Sequence, residues 1–182
     1  NSVPGPLSIF RDVHKLQAGH VLTWEGGRSE ITRYARPAPV PADEVRRDEE
    51  AELVEELRAR LRDSVRAHLV SDVPVGVLLS GGIDSSVLAA LASEEASEPL
   101  RTFSIGFEER SFDELADARL VAERCGTQHR ELVLRPDAAL LLPALADAFD
   151  EPFADSSALP TYLVAQLAAD DVKVALSGEG GD

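Results

Sequence analysis

The feature that most restricts this chain is a short apolar run that ends on a glycine pair and turns at once into a helical pattern. Val75-Gly76-Val77-Leu78-Leu79 is almost wholly apolar, as a strand buried on both faces should be. Pro74 breaks the pattern before it. Ser80-Gly81-Gly82-Ile83-Asp84-Ser85-Ser86 follows, and residues 85–93 read as a helix with Val87, Leu88, Leu91 and Ala92 directed inward, closed by Pro99.

The same alternation continues downstream. Leu100-Arg101-Thr102-Phe103-Ser104-Ile105 predicts a second strand, and residues 112 to about 125 a helix carrying Leu115, Ala118, Leu120, Val121 and Ala122, with Gly126 as its stop. Glu131-Leu132-Val133-Leu134 predicts a third strand and Val172-Lys173-Val174-Ala175-Leu176 a fourth, with helices over 137–149, around Pro143, and over 160–169. Short strands alternating with helices specify an α/β fold, a parallel sheet flanked by helices. Ligands of such sheets collect beyond the strand C-termini, especially where strand order reverses. Glycine-rich polar loops begin at Ser80 and at Ser177, both at such ends.

Upstream, a long helix is expected from about Asp48. Leu53, Leu57, Leu61, Val65 and Leu69 recur every four residues, and Val54 widens the stripe, so the helix should bury one side. Arg58, Arg62 and Arg66 take other faces as solvated charges, and Glu56 and Arg60 are spaced for a surface pair. Residues 19–34 read as a hairpin, His20-Val21-Leu22-Thr23-Trp24 and Glu30-Ile31-Thr32-Arg33-Tyr34 around Glu25-Gly26-Gly27-Arg28-Ser29. Arg36-Pro37-Ala38-Pro39-Val40-Pro41 favours an extended linker. The division is therefore an N-terminal hairpin and proline-rich linker over 1–47 and a main domain over 48–182.

Composition narrows the partners. Acidic residues number 33 against 18 basic ones, a formal net charge of -15, which disfavours an unspecific grip on nucleic acid or an anionic membrane. No apolar stretch approaches the roughly 18 residues needed to cross a bilayer. Cys125, the single cysteine, excludes an intrachain disulfide and reads as a small packed residue at a helix end, and a reducing, cytoplasmic setting is the default. The chain begins without Met and stops just after an apolar run, so a larger polypeptide cut at both ends is expected.

The first loop has phosphate chemistry written into its residue types. Gly81 and Gly82 can turn tightly and bring N–H groups close to phosphate oxygens. The following helix adds N-terminal amides and a favourable dipole, and Ser80, Ser85 and Ser86 add hydroxyls. Asp84 is awkward beside a bare phosphate and reasonable if Mg2+ lies between them. The competing reading is a strand-to-helix turn with Asp84 capping the helix. No Gly-Lys-Ser or Gly-Lys-Thr ending is present, which sets the loop apart from the Walker type.

The string from Ser80 to Ser86 closely resembles the pyrophosphate loop of the N-type ATP pyrophosphatases, the adenine nucleotide alpha-hydrolase-like proteins. Within that group the chain resembles the glutamine-hydrolysing asparagine synthetase family. The matching strings are Ser71-Asp72-Val73-Pro74-Val75-Gly76-Val77-Leu78-Leu79, Thr102-Phe103-Ser104-Ile105-Gly106-Phe107, Glu151-Pro152-Phe153-Ala154-Asp155-Ser156-Ser157 and Ser177-Gly178-Glu179-Gly180-Gly181-Asp182. Gly19 to Trp24 is similar to the approach from that family's glutaminase domain, so the resemblance spans almost the whole chain.

The resemblance implies a ligase. ATP activates the aspartate side-chain carboxylate as an acyl-adenylate, pyrophosphate leaves, and ammonia drawn from glutamine displaces AMP to give asparagine. It implies nucleotide contacts at Leu78, Ser80, Gly81, Gly82, Asp84, Ser85, Ser86, Ile105, Ser177 and Gly178, with Leu78 and Ile105 reading adenine through backbone groups. It assigns Mg2+ to Asp84 and Asp182, and acyl-adenylate formation to Glu179. Each could instead be a solvated loop acid. The family's glutaminase domain starts with a nucleophilic cysteine, whereas this chain starts with Asn1, so glutaminase activity is not expected of it. The family's later lysine and substrate segments lie past the second loop, so residues 1–182 are expected to keep an ATP-binding framework without efficient synthesis alone. A homodimer is one assembly open to the parent protein. An amidotransferase or cyclase acting on another carboxylate, and a nucleotide-binding module without turnover, remain the alternatives.

Overall fold

The computed structural model describes residues 2–36, 41, 43, 49–107, 114–134, 138–149 and 151–179. The chain falls into two units, residues 1–48 with 142–156 and residues 49–141 with 157–182.

In the first unit, β1 (His20–Glu25) and β2 (Arg28–Arg33) pair antiparallel, from His20 opposite Arg33 to Glu25 opposite Arg28. Gly26 and Gly27, at φ +57° and +79°, make the turn by themselves, shorter than the five residues expected. Left-handed φ at both positions matches the strand twist and lets the ladder run to the turn. The amides of Tyr34 and Ala35 donate to the Gly19 carbonyl at 2.8 and 3.2 Å. In the same unit the Lys15 ammonium donates to the Val3 carbonyl at 2.8 Å and pairs with Glu151. Phe149 stacks on Phe153 with ring centroids 4.6 Å apart. Most of the expected linker, residues 37–40, lies outside the described residues.

In the second unit, α1 (Glu50–His68), β3 (Val75–Leu78), α2 (Ile83–Glu95), β4 (Arg101–Phe107), α3 (Leu115–Cys125), β5 (Gln128–Leu134), α5 (Ala158–Ala169) and β6 (Val174–Leu176) follow in turn; α4 (Ala138–Ala148), with Pro143 inside it, straddles the boundary. Among the described residues the sheet has the order β5-β4-β3-β6, all parallel. The period-two alternation of β3 decides which core each residue joins. Val77 and Leu79 pack with Val65, Ala89, Leu91, Ala92, Ala118 and Ala122 from α1, α2 and α3. Leu78 turns to the opposite face, with Phe103, Val164, Leu167, Ala168 and Val172. Val77, Leu79 and Phe103 are at most 1% exposed, and full burial of such side chains contributes about 1.5–3 kcal/mol each.

Several expected faces are corrected. Leu57, Leu61 and Val54 of α1 are exposed, and the stripe reaches the core only at Val65 and Leu69. The arginine side of α1 is not simply solvated, because Arg66 grips Glu95 of α2 at 2.9 and 3.2 Å and Arg62 pairs with Glu94. Arg60 and Glu56 do pair, at 2.6 Å. Val87 points outward, since α2 presents Ser85, Ala89 and Ala92 to the core and residue 87 lies across the helix from them. Leu120 is exposed for the same reason beside the buried Leu115, Ala118 and Ala122. β5 begins three residues earlier than expected, because an edge strand accommodates polar Gln128 and Arg130. Gly126 ends α3 as expected, at φ +63° with its amide on Glu123. No helix among the described residues is long and apolar enough to cross a membrane.

Candidate functional site

The strand order contains one reversal. β4 and β5 are added successively on one side of β3, and β6 pairs with β3 on the other. Such a switch point leaves a crevice at the C-terminal ends of the diverging strands. The loop after β3 and the loop after β6 both open into it.

The first loop is held by its own groups. Gly81 has φ +90°, and a Cβ there would lie 2.9 Å from the Ala118 nitrogen and the Glu114 carbonyl oxygen, so the bare backbone rests against the start of α3. The Ser80 and Ser85 hydroxyls lie 2.8 Å apart; the Ser80 amide donates to Ser85 Oγ and the Gly82 amide to Ser80 Oγ, both at 3.2 Å. Ser86 Oγ donates to the Gly82 carbonyl at 2.6 Å. Gly82 is the N-cap of α2 with no side-chain cap, so Asp84, in the first turn, does not cap the helix. The amides that begin α2 have no acceptor within the helix and lie at the positive end of its dipole.

The second loop meets the first directly. A Cβ on Gly178 would lie 2.7 Å from the Ser85 nitrogen and 3.1 Å from the Asp84 carbonyl carbon. Only glycine permits this approach. Between the loops opens a cleft of about 470 Å³ lined by Leu78, Ser80, Gly82, Asp84, Ser85, Ile105, Ser177, Gly178 and Glu179, within the size range of small-molecule sites. Gly81 and Ser86, also expected in the site, are not among the residues that line the cleft, and Asp182 lies outside the described residues. Sequence reasoning missed Ser104, Glu114, Pro160, Thr161 and Val164, which line the cleft together with the core residues Leu79 and Phe103. A serine set between Phe103 and Ile105 was the available signal for Ser104; nothing local marks the others, which α3 and α5 carry in.

No lysine or arginine lines the cleft among the described residues, whereas Asp84, Glu114 and Glu179 do. An anion held there must be balanced by backbone amides, the α2 dipole and a cation. No group of three or more potential metal-ligating side chains occurs among the described residues. A magnesium ion on nucleotide phosphates needs only one or two carboxylates. Asp84 is exposed in the cleft among hydroxyl and carbonyl oxygens, a hard donor set that fits such an ion.

The profile of the asparagine synthase family matches residues 56–182. The chain belongs to the asparagine synthase family. It is 40% identical to the glutamine-hydrolysing asparagine synthetase 1 of Bacillus subtilis strain 168, over 99% of this chain and 28% of that protein. Identity to a putative glutamine-hydrolysing asparagine synthetase of Methanocaldococcus jannaschii is 37%, over 99% of this chain and 35% of that one. The chain thus spans about a third of the length of these relatives. Among solved structures, the U34-tRNA thiolase NcsA of Methanococcus maripaludis superposes with a TM-score of 0.51 at 19% identity, over 69% of this chain and 44% of that chain. That likeness is one of fold, a parallel sheet flanked by helices. In this asparagine synthase family member, both glycine-rich loops that carried the resemblance form one cleft.

Proposed function

We propose that this chain supplies the ATP-binding framework of a ligase that adenylates the aspartate side-chain carboxylate, releases pyrophosphate and lets ammonia displace AMP to give asparagine. The observation that carries the reading is the seating of Gly178 against the first turn of α2, which brings the loops at Ser80 and Ser177 into one cleft. Family membership supports it.

A carboxylate oxygen is a poor leaving group until it is joined to phosphate as a mixed anhydride, and adenylation meets that demand. Leu78 and Ile105, with Pro160 and Val164 across the cleft, form an apolar slot for the adenosine. The backbone of Gly82 and the N-terminus of α2, with Ser80, Gly81, Ser85 and Ser86 fixing the loop, receive the phosphates that depart as pyrophosphate. Preorganised donors of this kind stabilise charge without reorganising during the reaction. Ser177 and Gly178 close on the same nucleotide, and Glu179 orders the groups around the carbon that is attacked. Asp84, and in this reading Asp182, would hold Mg2+. When bound, the ion neutralises charge on the phosphate oxygens.

The reading extends to the whole protein. Residues 1–47 lead in from a glutaminase domain that supplies ammonia, 48–182 begin the synthetase domain, and a cytoplasmic homodimer is its setting. The test uses the polypeptide at the length of its relatives, given ATP, Mg2+, aspartate and either ammonia or glutamine. Asparagine with AMP and pyrophosphate is expected; ADP in place of AMP would defeat the activation chemistry, and amidation of another acid would reassign the acceptor. Residues 1–182 alone are expected to bind ATP without efficient turnover.

A further inference from the structure

β4 runs past the end of β3. The last paired residues are Leu78 and Phe103, and one more backbone bond follows, from the Leu79 amide to the Phe103 carbonyl at 2.8 Å. Successive residues of a strand face opposite neighbours. Phe103 faces β3, and Ile105, two residues on, faces the same edge. The even-numbered residues face β5, as the bond from Gln128 to the Leu100 carbonyl at 2.8 Å marks. A ladder continued by one step would give the Ile105 amide to the Leu79 carbonyl. Among the described residues that carbonyl instead receives the Ser104 hydroxyl. Ser104 is 2% exposed, and both Ser104 and Ile105 line the cleft.

We infer that Ser104 is a positioning residue for the nucleotide base: its hydroxyl occupies the Leu79 carbonyl and so withholds the Ile105 amide from the ladder, presenting it to the cleft. The inference rests on the ATP reading above. A strand residue beyond its neighbour's end offers one N–H and one C=O side by side. That pair matches adenine, whose ring N1 accepts beside an amino group that donates, and mismatches hypoxanthine, whose N1–H donates beside an accepting oxygen. Removing the hydroxyl leaves the Leu79 carbonyl buried and unpaired, which is unfavourable, so the Ile105 amide is drawn onto it.

Amide hydrogen exchange and calorimetry on the protein test this. In the wild type, ATP should slow exchange at Ile105 and inorganic pyrophosphate should not. In Ser104→Ala, exchange there should already be slow without nucleotide, ATP affinity should fall about tenfold, the preference for ATP over ITP should shrink, and pyrophosphate affinity should stay within about twofold. Ser104→Thr, which keeps the hydroxyl, should restore ATP binding. The inference is overturned if the wild-type Ile105 amide is slow without nucleotide or indifferent to ATP, or if Ser104→Ala weakens ATP and pyrophosphate equally or neither. A wild type that binds no ATP defeats the functional reading, while the nucleotide-free exchange at Ile105 still decides whether Ser104 withholds the amide.

Discussion

Gly178 lies so close to Ser85 that a Cβ on it would stand 2.7 Å from the Ser85 backbone nitrogen. The atoms it would strike, that nitrogen and the backbone and Cβ of Asp84, belong to the first turn of α2 and cannot swing aside like the end of a long side chain. Gly178→Ala should therefore push the two loops apart. Stability should fall by about 1–3 kcal/mol, the usual cost of overpacking, and ATP affinity by about tenfold or more. Urea denaturation and calorimetry measure both, and wild-type values for the pair would remove Gly178 from the site.

Asp84 is exposed in the cleft and, among the described residues, makes no side-chain hydrogen bond of the kind that Ser85 does. Asp84→Asn should leave unfolding within about 0.5 kcal/mol of wild type, as surface changes usually do. In the polypeptide at the length of its relatives, the Mg2+ concentration that half-saturates ATP turnover should rise on the order of tenfold, since removing a charged ligand weakens a hard-cation site. An unchanged Mg2+ titration would argue against its metal role.

On α1 the same apolar stripe should respond unequally. Val65 is 6% exposed within the core and Leu57 is 58% exposed. Val65→Ala should cost about 1–3 kcal/mol from lost burial and the cavity left behind, and Leu57→Ala within about 0.5 kcal/mol. Equal losses in urea denaturation would show that the exposed half of the stripe is covered in solution.

Burial holds the His129 imidazole below its ordinary pKa; Glu131 opposes that shift and Arg119 adds to it. Its Nδ1 lies 2.9 Å from Thr102 Oγ1, and its Nε2 is buried with no hydrogen-bond partner among the described residues. The native state thus favours neutral His129, and on acidification the unfolded chain takes up the proton first, near pH 6.5. The contribution is complete above that pH and is lost as pH falls through the lower native value. The stability difference between about pH 7.5 and 5.5 should be smaller in His129→Asn than in the wild type. An identical difference would mean that the native state does not keep the ring neutral.

How much of this was legible in advance depended on range. The strand at Val75, the glycine loop and the stop at Gly126 follow from backbone chemistry acting over a few residues, and they stand where expected. Val87, Leu120 and the N-terminal half of the α1 stripe do not, because periodicity identifies a helical face while burial requires something opposite it. In the cleft, Ser80, Gly82, Ser177 and Gly178 were marked by their own loops. Thr161 and Val164 were invisible because an ordinary, largely apolar helix brings them in.

The sequence by itself determined that an apolar strand passes through Ser80-Gly81-Gly82 into a helix, a unit suited to phosphate whatever surrounds it. Only the tertiary structure decided that β6 lies beside β3, across from β4, and so brings Gly178 onto Ser85. The reason is physical: local dihedral preferences are complete within a loop, whereas strand order is settled by burial shared among distant residues, here Leu78 and Phe103 packing with Val164, Ala168 and Val172.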